Sequence, residues 1–160
     1  MSDRYNNIFG SGPTGVLTTV LLWVVALQIS TWVSIPEMHI APIFRWVLIL
    51  LFSIDAAVLL VWSHIILPPS VRAKTLITKG PYQFVRHPIY AAFIWSGTGI
   101  MAMTYKSWLL IVFVIPIHIF WAWHVQKEEK HMIDKFGSAY ADYINTTGQF
   151  FPRFTVDKKN

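Results

Sequence analysis

The sequence predicts an all-α, polytopic membrane protein with about four transmembrane helices. The last two form a short hairpin, and a cytoplasmic amphipathic C-terminal helix follows. Three observations predict this. Hydrophobic residues make up 54% of the 160 positions and aromatic residues 16%, more than a soluble domain of this size carries. Charged residues contribute only 13%, about half the usual share. Those charges are also absent from long stretches, so the bilayer is the natural solvent. With no Cys in the chain, disulfides, thiolate metal sites, iron–sulfur clusters and a cysteine nucleophile are excluded.

Four apolar runs can be drawn. Residues 16–35 carry no charge, 46–67 carry only Asp55, and 88–105 and 107–124 are uncharged and separated by Lys106 alone. At about 1.5 Å per residue the first two cross a bilayer core of roughly 30 Å, whereas the last two reach about 27 Å each. The short pair therefore reads as a tight hairpin leaning on the longer pair. Pro116 is expected to kink the fourth run. Residues 1–14 read as a polar tail that is retained, because no small-residue cleavage site follows the first run. In the C-terminal tail Met132, Phe136, Tyr140 and Tyr143 recur at helical steps, which predicts one amphipathic helix over 126–144.

The whole chain, 1–160, reads as a single membrane domain. Residues 1–67 supply the tail and two spans; 68–160 supply a loop, the hairpin and the C-terminal helix. Neither the loop 68–87 nor the tail 125–160 can fold a nucleotide-binding domain alone, so any active site must combine them with helix ends.

Basic residues fix the expected orientation. Arg4, Arg72, Lys74, Lys79, Arg86, Lys127, Lys130, Lys135, Arg153, Lys158 and Lys159 fall on one side of the four runs, and only Arg45 and Lys106 on the other. Both termini of this multi-pass protein are thereby expected in the cytoplasm. The same bases account for the net charge of +5 through contact with anionic membrane lipids, and no nucleic acid partner is expected. The oligomeric state is not legible in the sequence.

Isolated polar groups divide into structural and functional readings. Asp55, deep in the second run, must be neutral, paired or facing a polar cavity. His64 and His118 read as hydrogen-bonded packing residues. His124, Glu128 and His131 share a helix face, but a carboxylate-bridged metal pair needs a second Glu-x-x-His and the chain has none, so no metal is expected. Residues 97–102 spell G-x-G-x-x-A without the strand and helix that a dinucleotide fold requires. Small residues there let helices approach closely.

The richest stretch is Gly80-Pro81-Tyr82-Gln83-Phe84-Val85-Arg86-His87-Pro88-Ile89-Tyr90. It delivers an Arg, a His and two Tyr to the point where a helix enters the membrane, with Pro88 in the favoured first turn. A guanidinium there suits an acidic group and the rings suit a cation, although Arg and Tyr also serve as simple interfacial anchors.

Together with Gly99, Glu128-Glu129, Phe136-Gly137, Tyr140, Tyr143 and Pro152, this stretch resembles the isoprenylcysteine carboxyl methyltransferase family and the related phospholipid N-methyltransferases. The likeness covers residues 75 to 153. It implies a membrane-embedded enzyme that uses S-adenosylmethionine and takes a lipidic acceptor laterally from the bilayer. Position by position it implies cofactor contacts from His87 and Tyr90, from Gly97 and Gly99, and from Glu128 and Glu129. Arg86, Tyr143 and Arg153 are the candidates for the catalytic set, Arg86 by orienting a carboxylate acceptor.

Chemistry suits that implication. Paired carboxylates match the cofactor's ammonium, Arg or His its carboxylate, and ring faces its sulfonium. Methyl transfer then requires mainly alignment and exclusion of water. The chain departs from the family at Ala92, where many members have Gly, and at Gln149, where an Arg is common; Arg153 is the candidate to replace that Arg. A phospholipid N-methyltransferase is one alternative. A sterol-reductase-like NADPH enzyme is another, although Ile89 and Ala91-Ala92 stand where those proteins carry Asn and Gly-Glu. A non-catalytic membrane scaffold is the last.

Overall fold

The structure is a computed structural model that describes residues 12–68 and 74–153. Six helices account for most of them: α1 (Gly12–Trp32), α2 (Pro42–Ile66), α3 (residues 88–105), α4 (Trp108–His124), α5 (Gln126–Phe136) and α6 (Ser138–Thr146). The first helix takes in residues 12–14, which the sequence assigned to a polar tail; residues 1–11 lie outside the described part. Helix α2 opens with Pro42 in its first turn, where the missing N–H costs nothing. It therefore begins before the apolar run and includes Arg45, whose guanidinium lies 5.7 Å from the Trp46 ring centroid.

Among the described residues, three helices are long and apolar enough to cross a membrane: Gly12–Trp32, Pro42–Ile66 and a 29-residue helix, Trp108–Phe136, in which α4 continues into α5. Against the predicted four, the third apolar run forms a shorter helix, α3, outside these three. That helix is built from α-helical Pro88–Ala91, a π-helical stretch Ala92–Gly97 and α-helical Thr98–Tyr105. The wider turn is reinforced by Thr98, whose hydroxyl donates to the carbonyl of Phe93 five residues earlier at 3.4 Å.

The single amphipathic helix expected over 126–144 is also corrected. Its first part is the straight extension of α4, because the amides of Val125 and Glu129 keep the helical ladder, bonding the Trp121 and Val125 carbonyls at 3.0 and 2.9 Å. The helix then stops at Gly137, which takes φ +57°. A glycine in a positive-φ conformation ends helices without the Cβ penalty. The chain turns there into α6, which buries Tyr140 and Tyr143.

Helix α1 packs mainly on α4, and α2 packs on α3. Close approach depends on small residues facing rings: a Cβ on Gly15 would lie 2.2 Å from the Trp121 ring, and one on Gly99 2.8 Å from Phe52. Indole N–H groups find hydroxyl partners across the same seams, Trp121 on Thr19 at 2.8 Å and Trp23 on Thr98 at 3.0 Å. Asp55 accepts a hydrogen bond from the Ser96 hydroxyl in the π-helical stretch, so its carboxyl is partnered across α2 and α3. At the end of the bundle away from His87, Lys106 adopts a left-handed conformation and closes the α3–α4 turn. Its carbonyl accepts from the Met38 amide at 2.7 Å and its ammonium from Nζ reaches Glu37 at 2.9 Å.

Gly15→Ala should therefore lower stability by about 1–3 kcal/mol, the scale of overpacking. Gly12→Ala should be neutral, since its Cβ would meet the Tyr90 ring at 3.6 Å. Thermal unfolding in detergent compares the two.

Candidate active site

The polar cluster forms where α3 begins, α4 passes into α5 and the chain beyond α6 folds back. A 3₁₀ turn, Gly80–Gln83, opens the approach. Gly80 takes φ +62°, and a Cβ there would press on Trp62 and Ile66 at the end of α2. The chain then pairs with the segment after α6: Val85 bridges Gly148 in parallel, the Arg86 amide bonds the Gly148 carbonyl at 2.8 Å, and the His87 amide bonds Gln149 at 3.1 Å. Gly148 is required at this crossing, because a Cβ would sit 1.8 Å from the Phe151 carbonyl oxygen.

This pairing points Arg86 and His87 at one carboxylate. Glu129 Oε1 lies 2.9 Å from Arg86 Nε and 3.0 Å from His87 Nε2. The three side chains are nearly buried, at 9% exposure for Arg86, 7% for His87 and 14% for Glu129. For the His87 contact to be a hydrogen bond, Nε2 must carry the proton, since an ionised carboxylate only accepts. Arg86 also donates from Nη1 to the Thr147 carbonyl and, at 3.5 Å, to that of Ile144. Its guanidinium thus clamps α5 to the segment after α6.

Glu128 accepts a hydrogen bond from the Tyr90 hydroxyl at 3.1 Å. A column of rings stands beside these contacts. His87 stacks on Tyr90 with 5.4 Å between centroids and leans on Phe150 at 5.8 Å, and Tyr90 stacks on Trp121 at 4.4 Å. Helix α1 closes the column from above: Gly12 adjoins the Tyr90 ring, Gly15 the Trp121 ring, and Thr14 Oγ1 lies 3.0 Å from His124 Nε2.

Five of the nine sequence-predicted site residues come together here: Arg86, His87, Tyr90, Glu128 and Glu129. The others are placed differently. The nearest atoms to a Cβ on Gly97 belong to Trp23, and on Gly99 to Phe52, so both glycines serve helix contacts with α1 and α2. Tyr143 donates its hydroxyl to the Tyr82 carbonyl and ties α6 to the 3₁₀ turn. Arg153 is exposed and donates to the Ile144 carbonyl at 3.3 Å, on the flank of the clamp. Gln149 contributes its backbone carbonyl to His87, a role any residue can fill.

The sequence reading missed Trp121, Thr147, Gly148 and Phe150, and the part played by α1. Only Gly148 carried a local signal, as a glycine in a turn-rich stretch. The others act through ring faces or backbone carbonyls, which have no motif.

Burial pushes the hydroxyls of Tyr140 and Tyr143 up from their ordinary value near 10. A raised pKa means the folded state holds its protons longer than the unfolded one, so this contribution is complete below about pH 10 and is lost as pH rises further. Alkaline unfolding should start there, with a shallower slope in Tyr143→Phe. Arg86→Lys should cost about 1–3 kcal/mol of stability, because an ammonium cannot serve a carboxylate and two carbonyls from one planar fork. Thermal denaturation in detergent reads this out.

Comparison with known proteins places the geometry in a lineage. Residues 34–134, more than half of the chain, match the model of the isoprenylcysteine carboxyl methyltransferase (ICMT) family. The chain is 29% identical over 91 residues to the protein-S-isoprenylcysteine O-methyltransferase of Saccharomyces cerevisiae, covering 57% of this chain and 38% of that protein. It is 33% identical over 84 residues to that of Schizosaccharomyces pombe, covering 51% and 35%. It is also 29% identical over 83 residues to the cobalt-zinc-cadmium resistance protein CzcN of Cupriavidus metallidurans, covering 52% and 38%. The chain thus matches well under half the length of each relative. Its matched segment contains Arg86, His87, Tyr90, Glu128 and Glu129, and the chain belongs to the isoprenylcysteine carboxyl methyltransferase family.

Proposed function

We propose that this chain is a membrane-embedded methyltransferase that uses S-adenosylmethionine and methylates the carboxylate of an isoprenylcysteine-like lipidic acceptor. One observation carries the reading: two adjacent carboxylates, an Arg, a His and a stacked Tyr–Trp pair converge at one end of a helix bundle, inside the segment matched to the family. The family assignment favours this over phospholipid N-methylation, and over an NADPH-dependent reductase.

The donor set fits the cofactor by chemistry. Glu128 would hold the ammonium, with Tyr90 orienting that carboxylate; His87, whose Nε2–H serves Glu129, would line the pocket with its ring; and the Tyr90 and Trp121 faces suit a sulfonium. When bound, S-adenosylmethionine supplies an activated methyl group on a good leaving group. Arg86 acts as a positioning residue, since its fork already joins Glu129 to the Thr147 and Ile144 carbonyls. Glu129 in turn fixes the His87 ring, so that the cluster is assembled before any ligand arrives. No general base is needed for a carboxylate acceptor, which is nucleophilic when ionised.

In this reading α3 is the fourth crossing. It shares a two-residue turn with α4, and its limited length draws the site toward the headgroups. The excess of Lys and Arg on this side of the apolar runs supports a cytoplasmic position for this end and for both termini. The acceptor enters from the bilayer, and anionic lipids contact the basic loops.

The full chain in lipid nanodiscs should bind S-adenosylhomocysteine in calorimetry and transfer labelled methyl to a prenylcysteine analogue as an alkali-labile ester. Alkali-stable label in phospholipid would reassign the acceptor, and binding of NADPH instead would overturn the reading. Glu128→Gln should weaken S-adenosylhomocysteine by about 1.5–3 kcal/mol at nearly unchanged stability. Glu129→Gln should lower both, because it also unpairs Arg86 and His87.

A further inference from the structure

At the end of the bundle away from the polar cluster, α1, the α1–α2 connection and the α3–α4 turn enclose a cleft of about 660 Å³. Nothing in the methyl-transfer reading uses it. Its walls include Val24, Leu27 and Ile35, and its polar residues include Glu37, Lys106 and Ser107. Val24 is 56% exposed on a helix long and apolar enough to lie in the bilayer, so the apolar side of the cleft adjoins lipid.

Ser107 is the unusual member. It is 5% exposed, and its buried hydroxyl has no hydrogen-bond partner. It stands at the N-cap of α4, where Ser normally bonds a first-turn amide, yet it makes no such bond. A buried hydroxyl left unpaired costs free energy that a ligand oxygen would return. The 17-residue helix behind it presents the positive end of its dipole at the same place. Lys106, the preceding residue, adds a full charge; its side chain is 43% exposed and its ammonium pairs with Glu37 across the rim.

We propose that this cleft binds one zwitterionic glycerophospholipid. The phosphate would take the Ser107 hydroxyl, the α4 N-terminus and Lys106. The headgroup ammonium would take the Glu37 carboxylate, which lies 2.9 Å from Lys106 Nζ. The residues lining the cleft include one cation, Lys106, and one carboxylate, Glu37, which match a headgroup of no net charge better than an anionic one. A volume of this size takes a headgroup and the upper part of an acyl chain, with Val24, Leu27 and Ile35 against the latter. The bound lipid is distinct from the methyl acceptor, because the 18 helical positions of α3 put about 27 Å between the two ends. It would fix the α3–α4 turn and hence the depth of the short helix.

The test is a native mass spectrometry titration of the full chain in detergent with dioleoyl phosphatidylethanolamine, dioleoyl phosphatidylglycerol and dioleoylglycerol. Phosphatidylethanolamine should be retained as one molecule, about tenfold more tightly than dioleoylglycerol, with phosphatidylglycerol weaker. Millimolar inorganic phosphate should not displace it. Lys106→Ala should lower the affinity about tenfold. Ser107→Asp should lower it as much while keeping or raising thermal stability in lipid-free detergent, because Asp caps a helix as well as Ser but repels phosphate. Equal retention of dioleoylglycerol, displacement by inorganic phosphate, or unchanged affinity in Lys106→Ala would each overturn the proposal. That last variant, at an exposed side chain, decides the matter if Ser107→Asp does not fold.

Discussion

A single carboxylate organises the polar end of this molecule. Glu129 sits just past the point where the long apolar helix becomes charged, in surroundings too dry to leave an anion uncompensated. Arg86 and His87 supply the compensation from a loop more than forty positions earlier, at 2.9 and 3.0 Å. Meeting that demand fixes much else. Arg86 reaches Glu129 with one edge of its fork and has donors left over, and these take the Thr147 and Ile144 carbonyls. The segment after α6 is thereby folded back against Val85–His87, and the Gly148 crossing follows from the close approach. Three segments distant in sequence are joined by one charge and the geometry needed to satisfy it.

Packing supplies what the charge network lacks. It does so by setting glycines against rings. Gly15 admits Trp121, and the indole N–H that enters with it is satisfied by Thr19 one turn further along α1. Since Trp121 is also the face on which Tyr90 stacks, the first helix becomes part of the site, although it bears none of the motif residues. Hydrophobic burial, helix approach and the orientation of a ring in the polar cluster are therefore the same set of contacts viewed at different scales.

Helix α3 shows how a short helix can be accommodated. Its π-helical stretch Ala92–Gly97 shifts the face presented to α2, placing Ser96 opposite Asp55. An acidic side chain in an apolar helix would otherwise stand without a partner in a medium that offers none. Of the three readings open for Asp55, pairing is the one present, through a neutral hydroxyl.

Much of the architecture was legible in the sequence because hydropathy acts locally: uninterrupted apolar runs cross lipid whatever surrounds them. The run 88–105 was drawn with its correct limits, and the motif around Arg86 and His87, with Glu128 and Glu129, marked the residues that gather. Gly137 carried a breaker signal that the periodicity of Tyr140 and Tyr143 masked, so one helix was expected where two form. What only the tertiary structure decided concerns partners. Whether Arg86 is a clamp or a free cation, whether Gly97 and Gly99 admit a ligand or a ring, and which backbone carbonyls complete the cluster depend on distances between segments. A one-dimensional pattern holds residue types and spacing. It does not hold the long-range contacts by which a buried charge is neutralised.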